Sequence, residues 1–431
     1  MAGWSKPCIL WSNRGTINLQ EDYPLKPQLI VFGEDWGALP TSTQHIIKQL
    51  RPDYRITWIN SLGLRSPKAS WHDLKRVCNK AARIAKQLLN KKQPPLISAI
   101  AANPNAINDE HNFSVVEPQY IPFPGNGLAR RINRLLLAKL LRRHSQPASA
   151  GQPSIIWISL PNAVDALHYL AKTDLANAVV IYYCCDDFSA LDGVDHQAIS
   201  MLERELAQQA DVIVATSPGL VSKFPEHKTH LIPHGVDTRL FYQKSARAID
   251  LPTGKPIAGF YGSIAPWIDL DLLTQLARQM PDWNFVFIGV AKVDVSKLQA
   301  LSNVFFLGER PHEQLPAYSQ HWQASLLPFI LNEQIMACNP LKLREYLATG
   351  RPIISVDFPQ VHNYSEFIHI VDGADGFARA LRESLGESNE FADLRQLKVA
   401  SESWQAVAGR INNLLVAQTQ VQPQPITANV H

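Results

Sequence analysis

A chain of 431 residues is too long for one ordinary hydrophobic core and predicts two or three domains of roughly 150 residues each. Its apolar fraction of 46% is enough to fill such cores, and together with 18% charged residues it excludes a disordered or acidic scaffold. The 41 basic and 38 acidic residues leave a net charge of +3, so no overall basic field argues for nucleic acid as a partner.

The cysteines and the longest apolar runs bear on the cellular compartment. Five cysteines occur without a CxxC pair, which argues against a disulfide framework or a zinc site and favours a reducing cytosol. The first residues lack the apolar core of a secretory signal, and no stretch of about 18 apolar residues occurs in the sequence. We therefore expect a cytoplasmic protein that does not span a membrane.

Short apolar runs rich in Val, Ile and aromatic residues alternate with longer amphipathic segments. Continuous apolar runs are typical of strands buried on both faces, and their alternation with helices predicts open, mostly parallel sheets. The runs are too many for one such sheet, so we predict an α/β protein with two Rossmann-like, doubly wound domains. The predicted strands are Leu29–Gly33, Arg55–Asn60, Leu96–Ala101, Phe113–Glu117, Ser154–Leu160, Val179–Cys185, Val212–Ser217, Ile257–Gly262, Phe285–Gly289, Val304–Gly308, Ser325–Pro328, Ile353–Asp357 and His369–Asp372.

The alternation pauses once, in a polar segment with Pro and Gly at Tyr242–Lys255, and this pause predicts the domain boundary. A last amphipathic stretch and a polar tail follow the final predicted strand. The predicted division is an N-terminal extension at 1–27, an N-terminal domain at 28–247, a C-terminal domain at 248–393, a C-terminal helix at 394–419 and a disordered tail at 420–431.

The segment Asn339–Pro352 predicts a helix that could bind an anion. Asn339 is a good N-cap, and Pro340 suits the first helical position. Lys342 then lies in the first turn, where free N–H groups and the positive end of the helix dipole attract anions. Glu345 follows on the same face and could accept hydrogen bonds from ribose hydroxyls. The pattern fits a nucleoside diphosphate, and a capped surface helix with an internal ion pair is the alternative.

A glycine-containing turn after another predicted strand is a second candidate for phosphate contact. Gly262 and Ser263 stand between the strand and a helix predicted to open near Pro266, and glycine lets backbone N–H groups approach a phosphate closely. Asp269 and Asp271 follow as a DxD pair. Because acidic residues in a first helical turn usually complement the helix dipole, we expect no metal there.

Two adjacent acids, Asp186 and Asp187, follow the predicted strand Val179–Cys185. In open α/β sheets, ligands bind outside the carboxyl ends of strands, where a carboxylate could take a proton from an acceptor hydroxyl. Successive strand residues point to opposite sides, so we expect only one acid to reach the cleft and favour Asp187. A turn closed by side-chain hydrogen bonds is the structural alternative.

Other loops at the expected cleft contribute polar residues and glycines. His234 lies in a turn, where a histidine more often serves structure than catalysis. The candidates for the cleft are Gly33, Ser42, His234, Asn332 and Glu333.

A leucine-rich helix predicted at Leu128–His144 carries six Arg and Lys residues. A helical wheel scatters these bases, with Lys139 and Arg143 on the apolar side. The pattern favours a partly packed, solvated helix, with contact to anionic lipid headgroups as the alternative.

In their order along the chain, these segments resemble GT-B glycosyltransferases of the family 4 type, from bacterial polysaccharide assembly. The resemblance covers about residues 28–418. It is carried by VVEPQYIPFPGNGLARRINRLLLAKLL, IIWISLP, VVIYYCCDDFSAL, ADVIVATSPGLVSKF, LIPHGVDTRLF, IAGFYGSIAPWIDLDLL, NPLKLREYLATGRPIIS and SWQAVAGRINNLL.

This resemblance implies two Rossmann-like domains that face a cleft, with the nucleotide sugar mainly on the C-terminal domain and the acceptor on the N-terminal one. It also implies that the last helix crosses back to the first domain. By resemblance, Glu345 binds the ribose, Lys342 the diphosphate, Gly262 and Ser263 the phosphate, and Asp186 or Asp187 serves the acceptor side.

The chain departs from the family pattern in two places. Many family 4 enzymes carry two glutamates separated by seven residues, but the position eight before Glu345 is Ala337, and the nearest upstream acid is Glu333. The basic pair that commonly follows the phosphate-loop glycine is replaced by Ile264–Trp267. We therefore expect Lys342 and the helix N-terminus to provide most of the phosphate stabilisation.

From the resemblance we expect a metal-independent glycosyltransferase that needs no cofactor. It would move a sugar from a nucleoside-diphosphate sugar to a lipid-linked or polysaccharide acceptor, without a nucleic-acid partner. Peripheral contact with the cytoplasmic face of the inner membrane is a further expectation. The alternatives are a nucleotide-sugar-binding or glycan-binding protein without turnover and a GT-B epimerase or phosphorylase.

Overall fold

Two parallel sheets, each covered by helices on both faces, make up the computed structural model. The α/β, doubly wound architecture expected from the sequence is confirmed. The predicted strand at Leu96–Ala101, most of the N-terminal extension and nearly all of the tail lie outside the described residues. The structure describes residues 26–38, 40–64, 112–145, 153–191 and 193–420.

The first sheet has seven strands in the order β3-β2-β1-β4-β5-β6-β7, and all described pairs are parallel. Alternate side chains enter different cores, since Ile30 and Phe32 pack on one face and Leu29 and Val31 on the other. Its strands are β1 (Gln28–Phe32), β2 (Arg55–Ile59), β3 (Phe113–Val116), β4 (Ile155–Ile158), β5 (Val179–Cys184), β6 (Val212–Ala215) and β7 (Thr229–Leu231).

Helices cover this sheet in two layers. One layer contains α2, the 3-10 helix Pro161–Lys172 and α3, and the opposite layer contains α1 together with the last helix of the chain. The helices that belong to this part of the chain are α1 (Ser42–Leu50), α2 (Gly127–His144), α3 (His196–Gln209), α4 (Pro218–Val221) and α5 (Thr238–Tyr242), with a 3-10 turn at Glu226–Lys228.

The second sheet has six strands in the order β10-β9-β8-β11-β12-β13. Between the two sheets run residues 232–256, which include the predicted boundary segment, and the division at residue 247 stays a prediction. The strands are β8 (Ile257–Tyr261), β9 (Asn284–Ile288), β10 (Val304–Gly308), β11 (Ala324–Leu327), β12 (Ile353–Ser355) and β13 (His369–Ile370).

Several short helices and a few longer ones surround the second sheet. Its helices are α6 (Leu270–Gln279), α7 (Ser296–Gln299), α8 (Pro316–Ser319), α9 (Glu333–Ala337), α10 (Leu341–Thr349), α11 (Gly373–Ser384) and α12 (Asn389–Val399), with 3-10 turns at His312–Gln314 and Pro359–Tyr364. Within the described residues, no helix is both long and apolar enough to cross a bilayer.

The C-terminal segment differs from the single helix predicted at 394–419. It forms two helices, α12 and α13 (Trp404–Gln420), separated by a short break. The break has a physical cause, because Val236 donates its N–H to the Glu402 carbonyl and accepts from Trp404 N–H, which holds this stretch extended. After the break, α13 packs against α1 and β5 of the first sheet.

Candidate active site between the two sheets

The loops at the carboxyl ends of the two sheets touch each other. Ser217 Oγ, just after β6, donates to the carbonyl of Ala337 at 2.6 Å. Asn339 Nδ2 donates to the carbonyl of Thr216, also at 2.6 Å. Since ligands of open α/β sheets bind at these carboxyl ends, the candidate site lies along this contact.

Asn339 has a role different from the helix cap predicted for it. Pro340 occupies the N-cap position of α10, no side chain caps the helix, and Asn339 is buried one residue earlier. Its amide group is used across the contact with Thr216 and accepts from Arg344 Nη1. The predicted helix end is confirmed, because Gly350 adopts a left-handed conformation with φ 74°.

Lys342 and Gly262, predicted separately as phosphate contacts, lie against each other. A Cβ atom on Gly262 would sit 2.3 Å from Lys342 Cε, and Gly262 has a φ of +124°, so a larger residue fits neither the space nor the backbone. The ammonium group lies 5.5 Å from the centre of the Phe260 ring and forms no ion pair or hydrogen bond with any described residue. Burial lowers the pKa of Lys342, although Glu345 opposes the shift.

The uncapped start of α10 adds backbone donors beside this ammonium group. Free N–H groups in a first helical turn favour an anion, and Lys342 supplies a full positive charge at the same place. Ser263 is partly buried in the adjoining turn, and its hydroxyl bonds no described residue. An anion placed between Gly262 and α10 would therefore meet several donors at once.

Glu345 lies one turn deeper and is 9% exposed. Tyr261 donates its hydroxyl to Oε2 at 2.7 Å, and His312 Nε2 lies 2.8 Å from Oε1. Burial opposes ionisation, but the hydrogen bonds, the charge of His312 and that of Lys342 outweigh it and lower the pKa of Glu345. The carboxylate is thus held charged and oriented, with lone pairs still open to ligand hydroxyls.

A histidine pair links this carboxylate to the first sheet. The rings of His312 and His45, the latter on α1, lie 5.6 Å apart, and His45 stacks on Trp404 at 4.9 Å. Burial and the charges of His312 and Lys48 lower the pKa of His45 to about 4. Burial opposes the charged form of His312, but Glu345 outweighs it and raises the pKa. Sequence analysis missed these side chains because no local spacing marks them.

Asp187, the acid favoured from the sequence, is engaged in a turn. Its Oδ1 accepts from Ser189 Oγ at 2.6 Å and from Lys223 Nζ at 2.7 Å. Lys223 also pairs with the buried Glu203 at 2.8 Å. Burial opposes ionisation, but Lys223 and Ser189 outweigh it and lower the pKa of Asp187. The charge of this carboxylate is already balanced by Lys223, so Asp187 is a poor proton acceptor.

Asp186 has the opposite environment. Burial and the charge of Asp187 raise its pKa to about 6, although the Asp187 N–H, Lys223 and Gln334 favour the ionised form. Gln334 belongs to α9, on the side of the second sheet, and its proximity shows that Asp186 faces the contact between the two sheets. Gln334 was not among the candidates from the sequence. With a pKa of about 6, Asp186 can take up and release a proton near neutral pH.

The remaining candidates from the N-terminal loops serve packing in this structure. A Cβ on Gly33 would lie 2.5 Å from the Trp58 ring. Ser42 is buried at the start of α1. His234 is buried with Nδ1 3.3 Å from the Tyr183 hydroxyl, and burial with the charge of Arg344 lowers its pKa to about 3.

Three candidates on the second sheet's loops lie at helix starts. Asn332 caps α9 by accepting from Ile335 N–H, and Glu333 is exposed in the first turn of that helix. Asp269 caps α6 by accepting from Leu272 N–H at 2.8 Å, so this helix begins at Leu270 and not near Pro266. The first acid of the DxD pair is therefore engaged with backbone.

Comparison with known sequences finds a family match within the second half of the chain. Residues 242–383 match the model of the family described as glycosyl transferases group 1. Among curated proteins, the putative teichuronic acid biosynthesis glycosyltransferase TuaH of Bacillus subtilis (strain 168) is 27% identical in an alignment of 297 residues that covers 62% of this chain and 72% of TuaH.

Solved structures with this fold cover nearly the whole chain. Sucrose-phosphate synthase from Thermosynechococcus elongatus matches with a TM-score of 0.64 at 15% identity, over 91% of this chain and 99% of its own. Anabaena Alr3699/HepE in complex with UDP and glucose matches with a TM-score of 0.59 at 12% identity, over 91% of this chain and 100% of its own. The structure described as trehalose-6-phosphate from E. coli bound with UDP-2-fluoro glucose matches with a TM-score of 0.60 at 13% identity, over 92% of this chain and 100% of its own.

The family match and the candidate site occupy the same part of the chain. The matched family region contains Gly262, Lys342 and Glu345, which the fold brings together at the carboxyl edge of the second sheet. The protein is a glycosyltransferase of the GT-B fold that resembles the TuaH-type enzymes.

Proposed function

We propose that this glycosyltransferase moves a sugar from a nucleoside-diphosphate sugar to a lipid-linked or polysaccharide acceptor in cell-surface or exopolysaccharide synthesis, in the cytoplasm. The observation that carries the proposal is the placement of the Lys342 ammonium over Gly262, beside the uncapped start of α10. Such a group of donors, in a cleft that excludes water, stabilises the charge of a departing diphosphate.

The donor would lie along the second sheet. Its diphosphate would contact Lys342, the turn at Gly262 and Ser263 and the first N–H groups of α10, and its ribose hydroxyls would donate to Glu345. Two structures with the same fold hold uridine nucleotides, namely UDP, together with glucose, in Anabaena HepE and UDP-2-fluoro glucose in the E. coli protein. They support a uridine nucleotide as the first donor to try.

The acceptor would approach from the first sheet. Its hydroxyl loses a proton as its oxygen bonds to the anomeric carbon, while the bond from that carbon to the diphosphate breaks. We assign the proton to Asp186 and no longer to Asp187, because Asp187 is held by Lys223 and Ser189 whereas Asp186 has a raised pKa and faces α9. The resemblance to TuaH supports a glycan or lipid-linked acceptor.

The test is a panel of UDP-, GDP- and ADP-sugars in a thermal-shift assay, followed by product analysis with candidate acceptors. A donor at 100 times its dissociation constant stabilises the folded state by roughly 2.7 kcal/mol, which gives a readable shift in Tm. We expect one nucleotide class to bind and its sugar to appear on an acceptor. Donor binding without transfer across the panel would favour a binding protein, and conversion of the donor alone would favour an epimerase.

Transfer should not require a divalent metal. Asp269 already uses one carboxylate oxygen as the cap of α6, and Lys342 can supply the charge that a metal would supply elsewhere. We expect turnover in EDTA within twofold of that in magnesium or manganese. This prediction would be contradicted if EDTA stopped turnover, manganese restored it, and the Asp269→Ala variant showed no turnover even with manganese.

A further inference from the structure

One face of α2 exposes large apolar side chains at helical spacing. Leu128, Ile132 and Leu135 expose 70%, 38% and 58% of their surfaces, and Phe123 exposes 44% in the turn before the helix. At about 100° per residue, the three helical positions fall within roughly 60° of one another. Contiguous apolar surface of this kind marks a site of contact with another surface.

The ion pairs of α2 sort its six basic residues into two groups. Arg130 and Arg134 turn inward and contact the buried Asp165 at 2.8 and 3.1 Å. The other four bases are exposed on the apolar face and form no ion pair with any described residue, and the helix contains no acid. These four are Arg131, Lys139, Arg142 and Arg143. We call the exposed face from Leu128 to Arg143 the α2 surface.

The combination of bases and leucines identifies the partner. Arginine and lysine alone would suit any polyanion, but a nucleic acid or a soluble phosphate offers nothing to the exposed leucines. The headgroup region of a bilayer offers both phosphates and the start of the hydrocarbon, and amphipathic helices with basic and leucine side chains lie there. An anionic membrane therefore complements the whole face.

The position of α2 relates this face to the candidate active site. A Cβ atom added to Gly125, in the turn into α2, would lie 3.1 Å from Asp195 Oδ2. Asp195 caps the start of α3, so the two helices begin close together. Helices that follow parallel strands begin at the carboxyl edge of the sheet, so the Leu128 end of α2 lies at the edge that also carries Asp186.

We propose that the α2 surface docks on a membrane containing anionic lipids, with its leucines in the headgroup boundary and its bases against lipid phosphates. This inference rests on the proposed function in one respect, since the membrane would bring a lipid-linked acceptor to the edge of the cleft. The docking itself requires no turnover and is measured without donor.

The test measures co-sedimentation of the full chain with vesicles of phosphatidylcholine alone or mixed with phosphatidylglycerol. We expect binding to the mixed vesicles, weaker binding in high salt and little binding to phosphatidylcholine. Each base near an anionic surface changes the partition coefficient by about fivefold, so Lys139→Gln/Arg142→Gln/Arg143→Gln should lower it roughly 100-fold. Leu128→Ser/Leu135→Ser should lower it about tenfold without removing the salt dependence.

The matched control removes the same charge from exposed positions that follow the first sheet along the chain, as Lys244→Gln/Arg278→Gln/Lys297→Gln, and should bind like the wild type. Equal losses in both charge variants, or no binding by the wild type, would overturn the proposal. A large fall in the Tm of the leucine variant without vesicles would also overturn it, because the chain itself would then cover the face. A change in the oligomeric state of that variant would overturn it as well, because a second copy would then cover the face. Transfer to a water-soluble acceptor should stay unchanged, which separates a failure of docking from a failure of the proposed reaction.

Discussion

Asp186→Asn should lower kcat by about 10²–10⁴ while it leaves donor affinity within twofold of the wild type. The amide keeps the size and the hydrogen bonds of the carboxylate but takes no proton from an acceptor. Since the pKa of Asp186 is about 6, the wild-type kcat should fall as the pH drops through that value, because the base must be ionised to act. Steady-state kinetics at several pH values, with calorimetry for donor binding, measures both effects.

Asp187→Asn is the matched control. It removes one partner of Lys223, which keeps its ion pair with Glu203 at 2.8 Å, so the cost to stability should be modest. Its kcat should stay within about tenfold of the wild type, and its pH profile should keep the same shape. A large loss in this variant with little loss in Asp186→Asn would restore the original preference for Asp187. Small and equal losses in both would remove the pair from the mechanism.

Glu345→Ala should weaken nucleotide binding roughly 10- to 150-fold, as measured by calorimetry. Hydrogen bonds to a charged group contribute about 1.5–3 kcal/mol each, and the structure holds this carboxylate ionised through His312 and Tyr261. The variant leaves these two side chains without their acceptor, so Tm must be measured beside affinity.

Two controls distinguish a ribose contact from a loss of structure. Glu345→Gln keeps an acceptor for Tyr261 and should preserve Tm better than the alanine variant while still weakening the nucleotide. Glu313→Ala removes an exposed carboxylate next to His312 and should leave affinity unchanged. Nucleotide affinity of Glu345→Ala within twofold of the wild type would place the ribose elsewhere.

The parts of the site that the sequence predicted are those with local signals. Lys342 and Glu345 are placed by the helix that contains them, and the end of that helix is marked by Gly350. Asn339 was misassigned as its cap because its actual partner, the Thr216 carbonyl, is 123 residues away in the sequence. No propensity argument detects such a contact, since it exists only after the two sheets come together.

The choice between the two acids shows a different limit. Alternation of side chains applies within a strand, but β5 ends at Cys184, so Asp186 and Asp187 lie in a turn where alternation says nothing. Their roles are set by Lys223 and Gln334, which come from distant segments. The acidic pair was visible in the sequence, whereas the environment that separates the two pKa values was not.

The return of α13 to the first sheet has a consequence for how the protein is made. The core between that sheet and α1 contains Trp404, Val407, Ile411 and Leu415, all nearly inaccessible to water. A ribosome completes β7 long before it reaches these residues, and at about 5–20 residues per second the interval is on the order of ten seconds or more. The half of the molecule that is synthesised first is therefore the last to close its core, and a nascent chain stopped before α13 would present chaperones with a sheet face that α1 covers only in part.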